Sequence, residues 1–249
     1  MPKQIRLGIL TPSSNTSLEP LTTSLIAPLP NVTVHFSRFP VVKISLESDA
    51  LSQFQTEKIL AAAHLLADAN VSIIGWSGTS SGWLGFEADE ALCKAITEAT
   101  GIPATTSVLA LNKACKEFGV HRLGLVTPYV DNVQEAIVKT YAGVGIDASE
   151  ERHLGLSKNT AFAEIEEEVL DGMVREVVAK GSERKEGEGV QAVTTFCTNL
   201  RAAQRVGYWE TEHGVPVFDT VATVVWDMLR SCGVDMAPLR DWGVLFTKA

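Results

Sequence analysis

The sequence predicts an α/β protein built from two pseudo-symmetric halves, each a doubly wound parallel sheet covered by helices. Two observations support this prediction. Short apolar segments alternate with longer amphipathic ones along the whole chain, which is typical of strands alternating with helices in parallel α/β folds. In addition, three segments of the first half recur in the second half in the same order.

Four short apolar runs predict the central strands. They are rich in Val, Ile and Leu and each is followed by small polar residues, as expected for strands that are buried on both faces of a parallel sheet. They cover residues 5–10, 71–74, 123–126 and 190–195. The amphipathic stretches predict helices over residues 51–69, 87–100, 107–118, 132–143, 161–180 and 220–231.

The internal repeat predicts where the halves begin and end. Residues 6–12 recur as 122–128, residues 71–79 as 190–198, and residues 101–103 as 214–216, at offsets of 116, 119 and 113 residues. Such a long and nearly constant offset indicates duplication of a half-domain rather than a solenoid repeat. We expect one half over residues 1–115 and the other over 116–231, with the active site between them. Residues 232–249 are expected to pack back on the first half.

Composition excludes several classes of partner. The chain has 249 residues, a formal net charge of −9 and no block of Lys and Arg, which argues against binding to a nucleic-acid backbone. No apolar run approaches the roughly 18 residues that a membrane span needs. The chain enters a predicted strand at once, so we expect no signal peptide and a cytoplasmic location.

Neither a metal nor an organic cofactor is expected. The four cysteines and five histidines fall at no metal-ligand spacing, and no Cys-x-x-Cys occurs. The chain also has no glycine-rich dinucleotide motif, no phosphate-binding loop and no nucleophile elbow. Residues 181–189 are polar and glycine-rich and predict a mobile surface loop.

Polar residues follow the second and fourth predicted central strands. Thr79 and Ser80 follow one, and Thr198 and Asn199 follow the other. Ligands of parallel α/β sheets bind beyond the carboxyl ends of the strands, where backbone N–H groups at helix N-termini attract anions. These residues therefore predict a carboxylate-binding site, although each could instead act only as a helix cap.

Cys197 is the candidate catalytic residue. It ends a strand within a polar turn, and we expect the dipole of a following helix and the local donors to lower the pKa of its thiol. Such a thiol could transfer a proton to or from carbon, or act as a nucleophile. Cys93, Cys115 and Cys232 lie in apolar helical segments and are expected to be core residues.

Three motifs carry a resemblance to a known family. The segments Gly78-Thr79-Ser80, Thr127-Pro128-Tyr129 and Cys197-Thr198 resemble those of arylmalonate decarboxylase and maleate cis-trans isomerase, within the aspartate/glutamate racemase superfamily. The resemblance runs over most of the chain. It implies a cofactor-independent enzyme in which, in the racemases and the isomerase, two cysteines face each other across the substrate.

The resemblance also implies a role for each matched residue. Gly78 stands where the first cysteine would be, as in arylmalonate decarboxylase, so only the Cys197 side carries a thiol. A decarboxylase needs a proton from one face only. Thr79, Ser80, Tyr129 and the amide of Thr198 would form a dioxyanion hole for the retained carboxylate, and Cys197 would protonate the carbanion.

Two asparagines point toward the isomerases instead. Residues 12–16 are similar to the isomerase signature in which an asparagine, here Asn15, holds a substrate carboxylate, and Asn159 matches a second carboxylate-binding asparagine. Arylmalonate decarboxylase surrounds its leaving carboxylate with apolar side chains. The resemblance therefore implies a site that takes a more polar dicarboxylate than an aryl malonate.

Three functions remain open from the sequence. The first is decarboxylation of a malonate-type diacid, the second isomerisation or racemisation of a small dicarboxylate, and the third a sensor that binds a dicarboxylate without turnover. The expected partner is a small dicarboxylic acid, and the family implies a monomer or a homodimer.

Overall fold

A computed structural model describes residues 4–47, 52–182 and 189–248. Its core contains two four-stranded sheets, and every pair of neighbouring strands is parallel. The first sheet has the order β2-β1-β3-β4, with β1 Ile5–Pro12, β2 Val32–Phe39, β3 Ile73–Trp76 and β4 Ala104–Thr106. The second has the order β6-β5-β7-β8, with β5 Leu123–Thr127, β6 Glu151–His153, β7 Ala192–Thr195 and β8 Val217–Asp219. The strand orders are equivalent, and the predicted fold class is confirmed.

Ten α-helices occur in the described ranges. Two of them, α5 Ser107–Phe118 and α10 Thr220–Ser231, have the predicted bounds, and three others differ from their predictions by a few residues: α2 Thr56–Asp68, α4 Phe86–Thr100 and α6 Asp131–Ala142. The remaining helices are α1 Leu18–Ile26, α3 Ser81–Leu84, α7 Asn159–Phe162, α8 Glu167–Ser182 and α9 Val206–His213.

Some predictions along the chain need correction. The helix predicted over residues 161–180 is two helices, α7 and α8, with a break before Glu167. The helix predicted from residue 51 begins at Thr56, after a 3₁₀ turn over Ser52–Phe54, and residue 51 itself lies outside the described residues. Residues 183–188 of the predicted surface loop also lie outside the described residues.

Helix α10 lies in the core of both halves. Its first ten residues are all buried, including the polar Thr220, Thr223 and Asp227. Met228 and Val224 pack so closely on Gly75 of β3 that a Cβ there would lie 2.5 Å from the Met228 sulfur. The hydroxyl of Thr223 donates to the carbonyl of Ser107 at the start of α5. A helix from the second half thus covers the first sheet.

The C-terminal segment forms two 3₁₀ turns, Ala237–Trp242 and Val244–Thr247. The carboxylate of Glu210 in α9 accepts hydrogen bonds from the amides of Val217 and Val244. The indole of Trp226 donates to the carbonyl of Lys248, whose ammonium group lies 5.3 Å from the Phe118 ring centroid. The turn Ala237–Trp242 also packs against α1, so the segment contacts elements of both halves.

The carboxyl ends of four strands meet at one place. Within each half the central strands β1 and β3, or β5 and β7, are neighbours in register. The chain leaves β3 toward Gly78 and leaves β7 toward Cys197, and both turns border a common cavity.

Candidate active site

A small cavity lies at the carboxyl ends of the strands. Its polar lining consists of Thr79, Ser80, Tyr129, Asn159, Cys197 and Thr198. Its remaining lining consists of Pro12, Val41, Ile44, Phe54, Trp76, Gly78 and Trp83. No charged side chain is among these lining residues, so apart from the indole N–H groups of Trp76 and Trp83 the polar side chains there carry hydroxyl, amide and thiol groups. The cavity volume is about 20 Å³, close to the room one water needs, so a dicarboxylate would have to displace its walls.

Seven of the eight residues predicted for the site line this cavity, and Asn15 does not. The Asn15 side chain is 1% exposed and forms hydrogen bonds through both its oxygen and its nitrogen. Its Oδ1 accepts from the amides of Ser17 and Leu18, which begin α1, and its Nδ2 donates to the Thr198 hydroxyl over 3.2 Å. Asn15 thus acts here as a helix cap that holds Thr198.

Asn159 lines the cavity and joins three parts of the chain. Its Nδ2 donates to the Ser14 hydroxyl over 2.8 Å, and its backbone carbonyl accepts from Nδ2 of Asn199 over 2.6 Å. The Ser14 hydroxyl in turn donates to the carbonyl of Val41, another lining residue. Sequence reasoning selected Asn159 by resemblance, whereas these tertiary partners are visible only in the fold.

Tyr129 joins Thr79, which follows β3, to Cys197, which follows β7. Its hydroxyl lies 2.6 Å from the Thr79 hydroxyl and also hydrogen-bonds the Cys197 thiol. The ring is 2% exposed and is held edge-to-face by Trp83 and Phe162, with centroids 5.4 and 5.7 Å away. Burial raises the pKa of Tyr129 well above its usual range, so the phenol stays protonated and can donate.

The acidity predicted for Cys197 is wrong in direction. Burial raises the pKa of the Cys197 thiol to about 11, and hydrogen bonds from Tyr129 and from the amides of Asn199 and Leu200 only partly oppose this. No α-helix starts at residue 198, because the chain passes through a turn and a 3₁₀ segment, Ala203–Arg205, before α9. The expected helix dipole is therefore missing, and the thiol keeps its proton at neutral pH.

Trp76 is the main site residue that sequence reasoning missed. It is the last residue of β3 and is 1% exposed. A Cβ built on Gly78 would lie 2.1 Å from Cζ2 of its indole. The change Gly78→Cys would introduce a second thiol opposite Cys197, but the new side chain could not fit unless Trp76 moved. An apolar residue ending a buried strand gave no signal of this role.

The other missed residues form the apolar wall. Phe54 and Trp83 meet edge-to-face with centroids 6.3 Å apart, and Val41 and Ile44 complete this wall. Within the described part of the chain the Trp83 Nε1 is buried without a hydrogen-bond partner. The cavity thus has one wall of hydrogen-bonding groups and one that is mostly apolar.

Two further searches covered the residues that the structure describes. They contain no cluster of three or more His, Cys, Asp or Glu side chains arranged to hold a metal ion. Among their helices, none combines the length and the apolar character needed to cross a bilayer.

Solved structures share this fold over almost the whole chain. Maleate isomerase from Pseudomonas putida with maleate superposes with a TM-score of 0.84 at 22% identity, covering 99% of both chains. The Nocardia farcinica maleate cis-trans isomerase with a covalently bound succinylcysteine intermediate gives 0.86 at 21% identity, covering 98% of this chain and 99% of that one. A liganded mutant of arylmalonate decarboxylase gives 0.81 at 21% identity, covering 99% and 100%. The architecture is therefore that of the α/β class to which these maleate isomerases and arylmalonate decarboxylase belong.

Sequence comparison identifies the family within that class. The family model for arylmalonate decarboxylase matches residues 38–244, and the chain belongs to this family. Arylmalonate decarboxylase from Bordetella bronchiseptica is 28% identical over 195 residues, 78% of each chain. Maleate isomerase from Pseudomonas putida is 24% identical over 251 residues, covering 96% of this chain and 95% of its own. The relatives therefore include both decarboxylases and isomerases.

Proposed function

We propose that the protein is a cofactor-independent decarboxylase of a malonate-type dicarboxylic acid, with Cys197 as the proton donor. The observation that carries this proposal is the asymmetry of the cavity. One side holds a single protonated thiol, and the opposite side, at Gly78, is filled by the Trp76 indole. One-sided protonation needs no second acid or base, whereas racemisation requires one on each face.

The polar wall would bind the carboxylate that the product retains. The hydroxyls of Thr79, Ser80 and Tyr129 and the amide of Thr198 would donate to its two oxygens as negative charge develops there. The Ser80 hydroxyl makes no hydrogen bond within the described residues and is free to donate. Preorganised donors of this kind lower the energy of an enediolate more than that of the starting diacid, and one donor is worth roughly 3 kcal/mol.

The apolar wall favours departure of the other carboxylate. Against Val41, Ile44 and Phe54 a carboxylate has few hydrogen-bond partners, so its conversion to neutral carbon dioxide relieves unfavourable desolvation. Asn15, whose amide would have opposed this by holding the charge, is committed to α1 and Thr198. The cavity is less polar on this side than the isomerase-like motif implied.

Cys197 would supply the proton that replaces the lost carboxylate. The bond from the α-carbon to the departing carboxylate breaks, and its electron pair delocalises onto the retained carboxylate as an enediolate. The S–H proton of Cys197 then passes to the α-carbon and leaves a thiolate. The amides of Asn199 and Leu200, joined by the Tyr129 hydroxyl once the product has left, would stabilise that thiolate until water returns the proton.

Carbon dioxide release from malonate, methylmalonate and phenylmalonate tests the proposal. We expect release from at least one of them, one solvent deuterium on the α-carbon of the product in D₂O, and loss of turnover in Cys197→Ala. Absence of release across the panel contradicts decarboxylation. Tight binding of these diacids without any turnover would instead favour a sensor.

Isomerisation of a small unsaturated diacid is the second candidate. Two observations favour it: the match to maleate isomerases over nearly the full chain, and the presence of Asn159 in the cavity. It would require Cys197 to add to the alkene as a thiolate, which the raised pKa of about 11 opposes. Conversion of maleate to fumarate, followed by ultraviolet absorbance, decides between the two reactions.

A further inference from the structure

Gly78 and Trp76 form an interdependent pair. A Cβ on Gly78 would lie 2.1, 2.3 and 2.6 Å from three atoms of the indole ring, well inside van der Waals contact. The rigid ring cannot bend away as the end of a flexible chain could. Phe39 also packs against it, with ring centroids 5.0 Å apart. The indole therefore occupies the space where any side chain at position 78 would project.

That space is the one facing Cys197 across the cavity. Residues 71–79 and 190–198 are equivalent in the internal repeat, which places Gly78 opposite Cys197, and both residues line the same cavity. Filling the Gly78 side with an indole leaves a cavity of only about 20 Å³. Any α-substituent of a bound malonate must share this side with the ring.

We infer that Trp76 is the residue that limits substrate size, so that the site favours malonates with a methyl α-substituent over those with a phenyl one. This inference rests on the proposed function for the class of ligand. An apolar pocket discriminates by roughly 10-fold to 200-fold for a single methylene. A phenyl group is much larger than a methyl group, so its exclusion is expected to exceed tenfold.

Binding measurements test the inference independently of decarboxylation. Calorimetry would give dissociation constants for methylmalonate and phenylmalonate in a Cys197→Ala background, which limits turnover. We expect methylmalonate to bind at least tenfold more tightly, and Trp76→Leu to reduce that ratio at least tenfold. The matched control is Trp226→Leu, which removes a buried indole outside the cavity and is expected to leave the ratio unchanged.

The results separate the two proposals. If the dissociation constants have the expected ratios but the unmodified protein releases no carbon dioxide, the size-setting role of Trp76 stands and decarboxylation is contradicted. Phenylmalonate binding as tightly as methylmalonate, or a ratio that Trp76→Leu leaves unchanged, would overturn the role of Trp76 whatever the reaction.

A stability cycle tests the contact itself. We expect Gly78→Ala to lower the melting temperature of the unmodified protein and to have at most a small effect in the Trp76→Leu variant, because the added Cβ then meets no ring. Such non-additivity is the signature of a direct contact. Equal effects of Gly78→Ala in both backgrounds would show that the indole does not occupy this space. If Trp76→Leu fails to fold, Trp76→Met takes its place in both experiments.

Discussion

The Cys197 thiol is stabilised in both of its protonation states, which suits a group that must give away a proton and recover it. Burial favours the neutral thiol and raises its pKa to about 11. Three donors, from Tyr129 and two backbone amides, point to the sulfur and favour the thiolate.

Alkylation should report this raised pKa. The thiolate is the form that reacts, so at pH 8 we expect iodoacetamide to modify Cys197 about a hundredfold more slowly than an ordinary cysteine, following a rise from 9.0 to about 11. The rate should rise about tenfold per pH unit up to pH 10. Cys232, which is more exposed, should react first without loss of activity. Peptide mass spectrometry measures each site, and rapid labelling of Cys197 at pH 7 would contradict the assignment.

Removing the Tyr129 hydroxyl should impair catalysis more than folding. Tyr129→Phe deletes a donor to the sulfur and to the proposed dioxyanion, and we expect kcat to fall roughly 100-fold to 1000-fold. The matched control is Tyr141→Phe. Tyr141 is also fully buried, but its hydroxyl has no partner within the described residues, so its loss should leave kcat unchanged and stability equal or higher. Equal effects of both changes on kcat would exclude a catalytic role for Tyr129.

The limits of sequence reasoning at this scale are visible in two residues. Cys197 could be selected from the sequence because a cysteine in a polar turn after a buried strand is unusual. The direction in which its pKa shifts could not be predicted, because burial by the opposite half is a tertiary property. Trp76 ends an ordinary buried strand, and only the three-dimensional approach of its ring to Gly78 reveals a role.

At the scale of elements, long regular segments were predictable and short ones were not. Helices α5 and α10 have caps and apolar patterns that match their predicted bounds. The strands β4, β6 and β8 have three residues each, too few to show a period. Strand β2 at the sheet edge is only partly buried, so it lacks the apolar run by which the central strands were recognised.

The cap of α10 makes stability depend on pH. Asp219 accepts hydrogen bonds from the amides of Val221 and Ala222, and burial raises the pKa of its carboxyl from 3.8 to about 6. Because the folded state holds this proton more tightly than the unfolded state, stability falls as pH rises from about 4 to 6. The total loss is about 3 kcal/mol for a shift of this size.

Substituting Asn for Asp219 should remove this dependence while keeping the cap. Asparagine retains an oxygen for the two amides and cannot ionise. Between pH 4.5 and 7.5 we expect the fall in the free energy of unfolding to be smaller by about 2 kcal/mol in Asp219→Asn than in the unmodified protein. Urea denaturation at the two pH values measures it, with the exposed Asp68→Asn as control. An unchanged pH dependence would show that Asp219 ionises normally in the folded protein.

At the scale of the whole molecule, buried polar groups join the halves around the cavity. The Thr198 hydroxyl accepts from Asn15 and donates to the carbonyl of Ser77. The Asn199 side chain, 1% exposed, accepts from the amides of Thr16 and Ser17 and donates to the carbonyl of Asn159. Since α10 also covers the first sheet, neither half has a complete core alone, and we expect a single cooperative unfolding transition.

Asn199→Ala should weaken both the junction and the site. It removes the partner of the Thr16 amide and of the Asn159 carbonyl, whereas the Ser17 amide keeps its bond to Asn15. At about 1 kcal/mol or more for each of the two groups we expect a loss of about 2 kcal/mol of unfolding free energy. Ligand binding should weaken as well, because Asn159 loses the contact that holds its backbone. Urea denaturation and diacid calorimetry measure the two effects, and the exposed Asn132→Ala is the control. If stability fell without any change in diacid affinity, Asn199 would serve the junction alone, and the coupling between the halves and the cavity would be disproved.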